Sequence, residues 1–301
     1  MNENNTHVVD AKEDNKSSNS PFRIAMENYI NVINAQLTAL PLILNLLATK
    51  TISDIQRVQK FIKDNDIKVE DATDDDVSIV IPYELSRKFK HLNDSVNTSI
   101  LASELLSRNI IVSLVSGYDA FIGDIIKAMF YTCPELLNSC EKNISLADLL
   151  TYESIDEAKQ RIIEKEVETV LRENHTTQFV WLEKKLNTTL RKDLPAFKNF
   201  IEITERRNLF VHNNGEVSCQ YIRICKDNDI LNSEVKLGKQ LSSDPAYITK
   251  CYNTLFEIGI KLGHVIWRKI VPSDRTKADE YLNNICFDLL KQKNMNWLSV
   301  F

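Results

Sequence analysis

The chain has 301 residues, 43% of them apolar, and a formal net charge of −5 with a pI of about 5.7. That length is enough to bury the core of one large or two modest domains. The acidic balance argues against a general nucleic-acid binder, so any contact with RNA or DNA has to run through a local basic patch.

Six Gly and seven Pro are few for such a chain. All-β folds need many more turns, so scarce breakers favour long helices and an all-α class. The cysteines at 133, 140, 219, 225, 251 and 286 form no CxxC and no spacing with His that suits a metal. They read as reduced, packed thiols of a cytoplasmic protein, with no metal and no cofactor expected. No uninterrupted run of about 18 apolar residues occurs, so no membrane span is expected. The opening "MNENNTHVVDAKEDNKSSNSP" lacks the apolar centre of a signal peptide and reads as a disordered tail over 1–21.

Residues 22–49 carry apolar side chains at helical spacing, with Pro41 expected to kink or divide the segment. A second helix is expected over 52–64, capped by Thr51 or Ser53. The stretch "DNDIKVEDATDDDVSIVIP" reads as a solvated loop followed by a short strand, not as a metal site, because its carboxylates are consecutive. From Tyr83 to about Thr132 the pattern is helical. Its middle, "NIIVSLVSGYDAFIGDIIKAMF", is apolar nearly all round and belongs at the centre of a bundle. Asp119 in that run needs a partner, either a structural Arg or a site.

Residues 155–187 read as one or two charged amphipathic helices, opened by a capping-box spacing from Ser154 to Glu157. His175 falls past the first of them and reads as a surface residue. A helix starting near Asp193 or Pro195 is expected to stop at Asn213-Asn214-Gly215. The next stretch, "EVSCQYIRICKDNDI", alternates and predicts an extended segment or hairpin. Helices over about 244–270 and 274–294, divided by Pro272, complete the chain. His264, on the first of these, reads as a packed or partly exposed histidine. The expected organisation is a tail over 1–21, a helical extension over 22–82 and a helical domain over 83–301.

The helix before Gly215 holds the chemistry, in "TERRNLFVHNNG". At about 100° per residue, Phe197, Phe200, Ile201 and Thr204 share one face. Asn208 and His212 fall back onto that face and Arg207 flanks it, while Lys198, Glu202 and Arg206 point to water. Polar groups on the buried side need partners, since leaving one unpaired costs about 1–3 kcal/mol. One reading is structural: Asn208 and His212 cap neighbouring helix ends, and Arg207 pairs with a carboxylate such as Asp119.

The other reading comes from "RNLFVH", which resembles the Arg-x4-His motif of the HEPN superfamily, with Asn208 as the polar residue after the Arg. Together with the apolar helix "SLVSGYDAFIGDII", it is similar to HEPN ribonucleases of prokaryotic defence and toxin systems, over roughly residues 84–270. The resemblance implies a compact helical bundle and metal-independent RNA cleavage. The RNA 2′-OH attacks the adjacent phosphate, leaving a 2′,3′-cyclic phosphate and a 5′-OH. Arg207 would hold phosphate oxygens. His212 would move a proton, and Asn208 would orient one of them or the RNA backbone. Asp119 is a supporting candidate. The resemblance also implies a homodimer in which two motif helices face each other, and Leu209 and Phe210, off the main stripe, suit such an interface. Lys184, Lys185, Arg191 and Lys192 before the motif, and Lys226 after it, are candidate RNA contacts.

The expected function is thus an endoribonuclease toxin of an anti-phage defence or toxin–antitoxin system, with RNA as substrate, an antitoxin or sensor protein as a possible partner, and no membrane. The alternatives are a non-catalytic HEPN-like module that binds nucleotide or protein, and a purely structural scaffold. Fold alone does not separate these.

Overall fold

A computed structural model of the chain describes residues 20–72, 76–139 and 145–294. The tail expected over 1–21 lies outside the described residues except for Ser20 and Pro21, and Pro21 already opens the first helix. The chain is all-α, and among the described residues one small hairpin is its exception.

Helix α1 runs over Pro21–Asp64 without a break. The hairpin follows: β1 (Val69–Ala72) pairs antiparallel with β2 (Asp76–Ile79), Val69 opposite Ile79. Helix α2 covers Tyr83–Thr132, the span its periodicity predicted. A 3-10 turn over Pro134–Ser139 and the single turn α3 (Leu146–Leu149) lead to α4 (Ile155–Arg172) and α5 (His175–Leu186). Then come α6 (Ala196–His212), α7 (Cys219–Asp227) and α8 (Pro245–Ile270). A 3-10 turn over Pro272–Asp274 separates α8 from α9 (Arg275–Asn294).

Two expectations along this order are corrected. Pro41 does not divide α1, and Thr51 does not cap a new helix; its Oγ1 donates to the Leu47 carbonyl inside the same one (3.0 Å). The lost donor at Pro41 is outweighed by packing on both sides of it. Gln36 Nε2 donates to the Ser113 carbonyl (3.4 Å), Ser99 Oγ donates to Asp54 (2.6 Å), and the Phe61 ring lies 6.3 Å from Phe89. These contacts make α1 and α2 antiparallel neighbours. Asp54, only 1% exposed, also binds Lys50 and Arg57. The hydrogen bonds from Lys50 and Ser99 hold its carboxyl down to about 2.

The second correction concerns residues 216–230, which form no hairpin. Ser218 Oγ accepts from the Tyr221 N–H (3.2 Å) and starts α7. Tyr221 and Cys225, four apart, are its buried residues. Extended pairing here, among the described residues, is one bridge between Glu216 and Gln240. The start of α4 follows expectation in half: Ser154 Oγ accepts from the Glu157 N–H (3.1 Å), but Glu157 reaches back to the N–H of Glu153 (2.7 Å), not to that of Ser154.

The chain forms two compact units, and α1, α2 and α8 each contribute to both. The first holds the described parts of Met1–Ile30, Asp119–Leu190 and Gly259–Met295, the second those of Asn31–Tyr118 and Arg191–Ile258. In the first, Tyr29 stacks on Phe121 with centroids 4.5 Å apart. Gly259 makes room for that ring: a Cβ there would lie 2.3 Å from Tyr29 Cε1. In the second, Tyr118 meets Phe200 edge-on at 4.9 Å, and Ile33, Leu40, Ile111 and Val115 are buried.

By length and composition, α1 and α2 are each apolar enough to cross a bilayer; half of that stretch is buried in α2 and 11% in α1. Uninterrupted apolar runs missed this, because Asn, Gln and Thr are interspersed through residues 28–49, which carry no charge.

Candidate functional site: the open end of helix α6

Helix α6 ends as its sequence predicts. The N–H groups of Asn213 (2.8 Å) and Gly215 (2.9 Å) both donate to the Leu209 carbonyl. Asn214 and Gly215 turn through φ values of 49° and 81°, the left-handed region that glycine adopts freely. A Cβ on Gly215 would meet the Phe210 ring at 3.2 Å. Arg108 of α2 ties this turn down. Its Nη1 donates to the carbonyl (3.0 Å) and side-chain oxygen (3.1 Å) of Asn214, and its guanidinium lies 5.8 Å from the Phe210 ring centroid. Nothing in the sequence pattern singled out Arg108, which sits 106 residues away.

One arc of α6 changes character along its length. Arg207, Val211, Asn208 and His212 span about 140° of the helix. Phe200, Ile201 and Thr204 fall within the same arc one or two turns earlier and are buried. From Arg207 onward the arc opens: Arg207 and Asn208 are half-buried, and Val211 (47% exposed) and His212 are on the surface. The face assigned to Asn208 and His212 from periodicity is therefore right, but His212 is not buried on it. Arg207 Nη1 donates to Asn208 Oδ1 (3.2 Å), so the amide and the guanidinium are already joined.

The opposite side of α6 departs from expectation. Glu202 and Arg206 do not face water; Glu202 is 6% exposed and the Arg206 side chain 15%. Glu202 Oε1 accepts from Arg206 Nε (2.8 Å) and the Tyr221 hydroxyl (2.7 Å), and Oε2 accepts from the Tyr247 hydroxyl (2.7 Å). Arg206 also donates to the Ser242 carbonyl (3.2 Å) and lies over the Tyr247 ring at 3.8 Å. Burial and then the Glu202 carboxylate push both phenols well above their ordinary range, so they remain donors. Burial likewise pushes the thiols of Cys225 up to about 11 and Cys251 up to about 12. The described cysteines are free thiols, and Cys140 lies outside the described residues.

Leu209 is the other correction on this side. It is 5% exposed, packed with Val217, Tyr221, Cys225 and Leu241, and Phe210 leans on the same cluster. Neither waits for a second copy, so the case for an interface that rested on them falls. Val211 is the apolar residue that α6 leaves open.

Asp119 belongs to the first unit and the motif to the second. Asp119 pairs with His175, whose Nε2 lies 2.8 Å from Oδ1. His175 thus opens α5 with an 11% exposed side chain, and is not a surface residue. Its predecessor Asn174 caps the helix by accepting from the Thr177 N–H (2.9 Å). His264 is buried beside Asp279 at 3.1 Å. Burial pushes its imidazole down and the Asp279 hydrogen bond opposes that shift.

The basic candidates divide in the same way. Lys184 and Lys185 lie in the first unit, Arg191, Lys192 and Lys226 in the second. Lys185 is engaged: Nζ donates to Ser139 Oγ (2.6 Å) and the Leu136 carbonyl (3.3 Å). Lys184, Lys192 and Lys226 are exposed. Among the described residues, no three His, Cys, Asp or Glu side chains converge as metal ligands. Set against protein-family models, curated proteins and solved structures, the chain matches none.

Proposed function

We propose that the chain is a metal-independent endoribonuclease of HEPN type, the toxic effector of a defence or toxin–antitoxin system. The observation that carries the proposal is the arc of α6 that leaves the core at Arg207 and brings a guanidinium, an amide and an exposed imidazole onto one face. A structural role for His212 has little support there, since an exposed ring at a helix end contributes little to folding.

Transesterification needs those groups. The RNA 2′-oxygen forms a bond to phosphorus as the bond from phosphorus to O5′ breaks. One proton leaves the 2′-OH and one is delivered to O5′. Arg207 stabilises the charge that builds on the non-bridging oxygens, with Asn208 holding its guanidinium in place. His212 moves one of the two protons. A second copy supplies the second set, with Val211 at the centre of the face that two α6 helices would share.

The test is expression of the wild type, Arg207→Ala and His212→Ala in a bacterial host, with new 5′-OH ends mapped in total RNA. Ends present in the wild type and lost in both variants support the proposal. Wild-type protein that leaves RNA intact but binds a nucleotide points to the non-catalytic alternative.

A further inference from the structure

The open face of α6 is useful only if the helix is held at one rotation. Apolar burial is non-directional, whereas hydrogen bonds to a carboxylate are directional.

We infer that Glu202 is a positioning residue for this face: joined to Tyr221 of α7, Tyr247 of α8 and Arg206 of its own helix, it sets the rotation of α6 and so the directions of Arg207, Asn208 and His212. Its bearing on catalysis rests on the ribonuclease reading above, whereas its bearing on geometry does not.

Two observations and one general argument support it. Both Glu202 oxygens are used, and by groups from three helices. A cluster that only stabilised the fold would be better built from apolar side chains, since burying a carboxylate and a guanidinium costs desolvation that their attraction need not recover. What such a cluster adds over an apolar one is a defined geometry. Arg206 is itself fixed at two further points, the Ser242 carbonyl and the face of the Tyr247 ring. It precedes Arg207 directly, so the azimuth of one determines that of the other, about 100° on.

The test uses the full chain with Tyr221→Phe, Tyr247→Phe and the double variant, which remove hydroxyls and keep the rings. Each single variant leaves Glu202 with Arg206 and one phenol, so a folded protein is available even if the double variant melts. Two signals are followed by NMR: the methyls of Val211 and the ring protons of His212, with the methyls of Val167 in the other unit as control. Wild type and variants are also compared in steady-state cleavage of a synthetic RNA.

The expected result is a shift or splitting of the Val211 and His212 signals, with Val167 unchanged. In cleavage, kcat falls about 10- to 100-fold while KM stays within about twofold, the pattern of misplaced catalytic groups. Val211 and His212 signals that superimpose on those of the wild type in every folded variant overturn the inference, whatever the activity. Shifted signals together with a wild-type protein that cuts no RNA leave the clamp standing and overturn the ribonuclease reading.

Discussion

At the scale of single residues, the neighbours Arg206 and Arg207 show why a helical wheel assigns a face but not its burial. Glu202 and Arg206 are four apart with opposite charge, and on most helices such a pair lies in water and contributes a few tenths of a kcal/mol. Here two phenols from other helices accompany the pair into the interior. Removing Arg206 leaves a buried carboxylate without its cation. Arg206→Ala is therefore expected to cost about 3–5 kcal/mol, read as a lower urea midpoint. His212→Ala removes an exposed side chain, so its midpoint is expected to stay within about 0.5 kcal/mol of wild type. Equal losses in the two variants would show that His212 is a structural residue and remove it from the catalytic set.

At the scale of elements, agreement followed how local the determining interaction is. The span of α2 and the stop at Gly215 were legible because periodicity and a glycine terminator act within a turn or two of themselves. Helix α7 was not legible: Val217, Cys219 and Tyr221 alternate like a strand, while Ser218 caps a helix in which Tyr221 and Cys225 share a face. Both patterns fit the residues, and packing against Leu209 selects the second. Pro41 is a third case, in which α1 stays helical through a residue that locally breaks helices, because α2 runs beside it. Pro41→Ala restores the missing N–H to an existing helix, and helix propensity favours Ala by about 3 kcal/mol. The gain is reduced by the greater freedom of the unfolded chain, by about 0.4–1 kcal/mol. A higher melting temperature is the expected outcome, and a lower one would mean that the helix is shaped around the proline.

At the scale of the whole molecule, the all-α class follows from scarce glycine and proline, whereas the candidate site depends on contacts that no local pattern encodes. Arg108 reaches Asn214 across 106 residues, and Tyr247 reaches Glu202 across 45. Ser99 reaches Asp54 over the same separation as that second pair, and this contact contributes to how the protein responds to acid. The hydrogen bonds from Lys50 and Ser99 lower the Asp54 carboxyl from its ordinary 3.8 to about 2 in the folded chain. The unfolded chain therefore takes up that proton first as acid is added. The stability linked to this carboxylate is fully present above pH 3.8 and is lost as pH falls toward 2. Asp54→Asn has no such proton to take up. At neutral pH the variant should melt below the wild type, because it lacks the charge that Lys50 and Arg57 meet. As pH falls through that window the two melting temperatures should converge. Melting curves at half-unit pH steps decide it: a difference that stays constant across the window would mean that Lys50 and Ser99 do not hold the proton off Asp54.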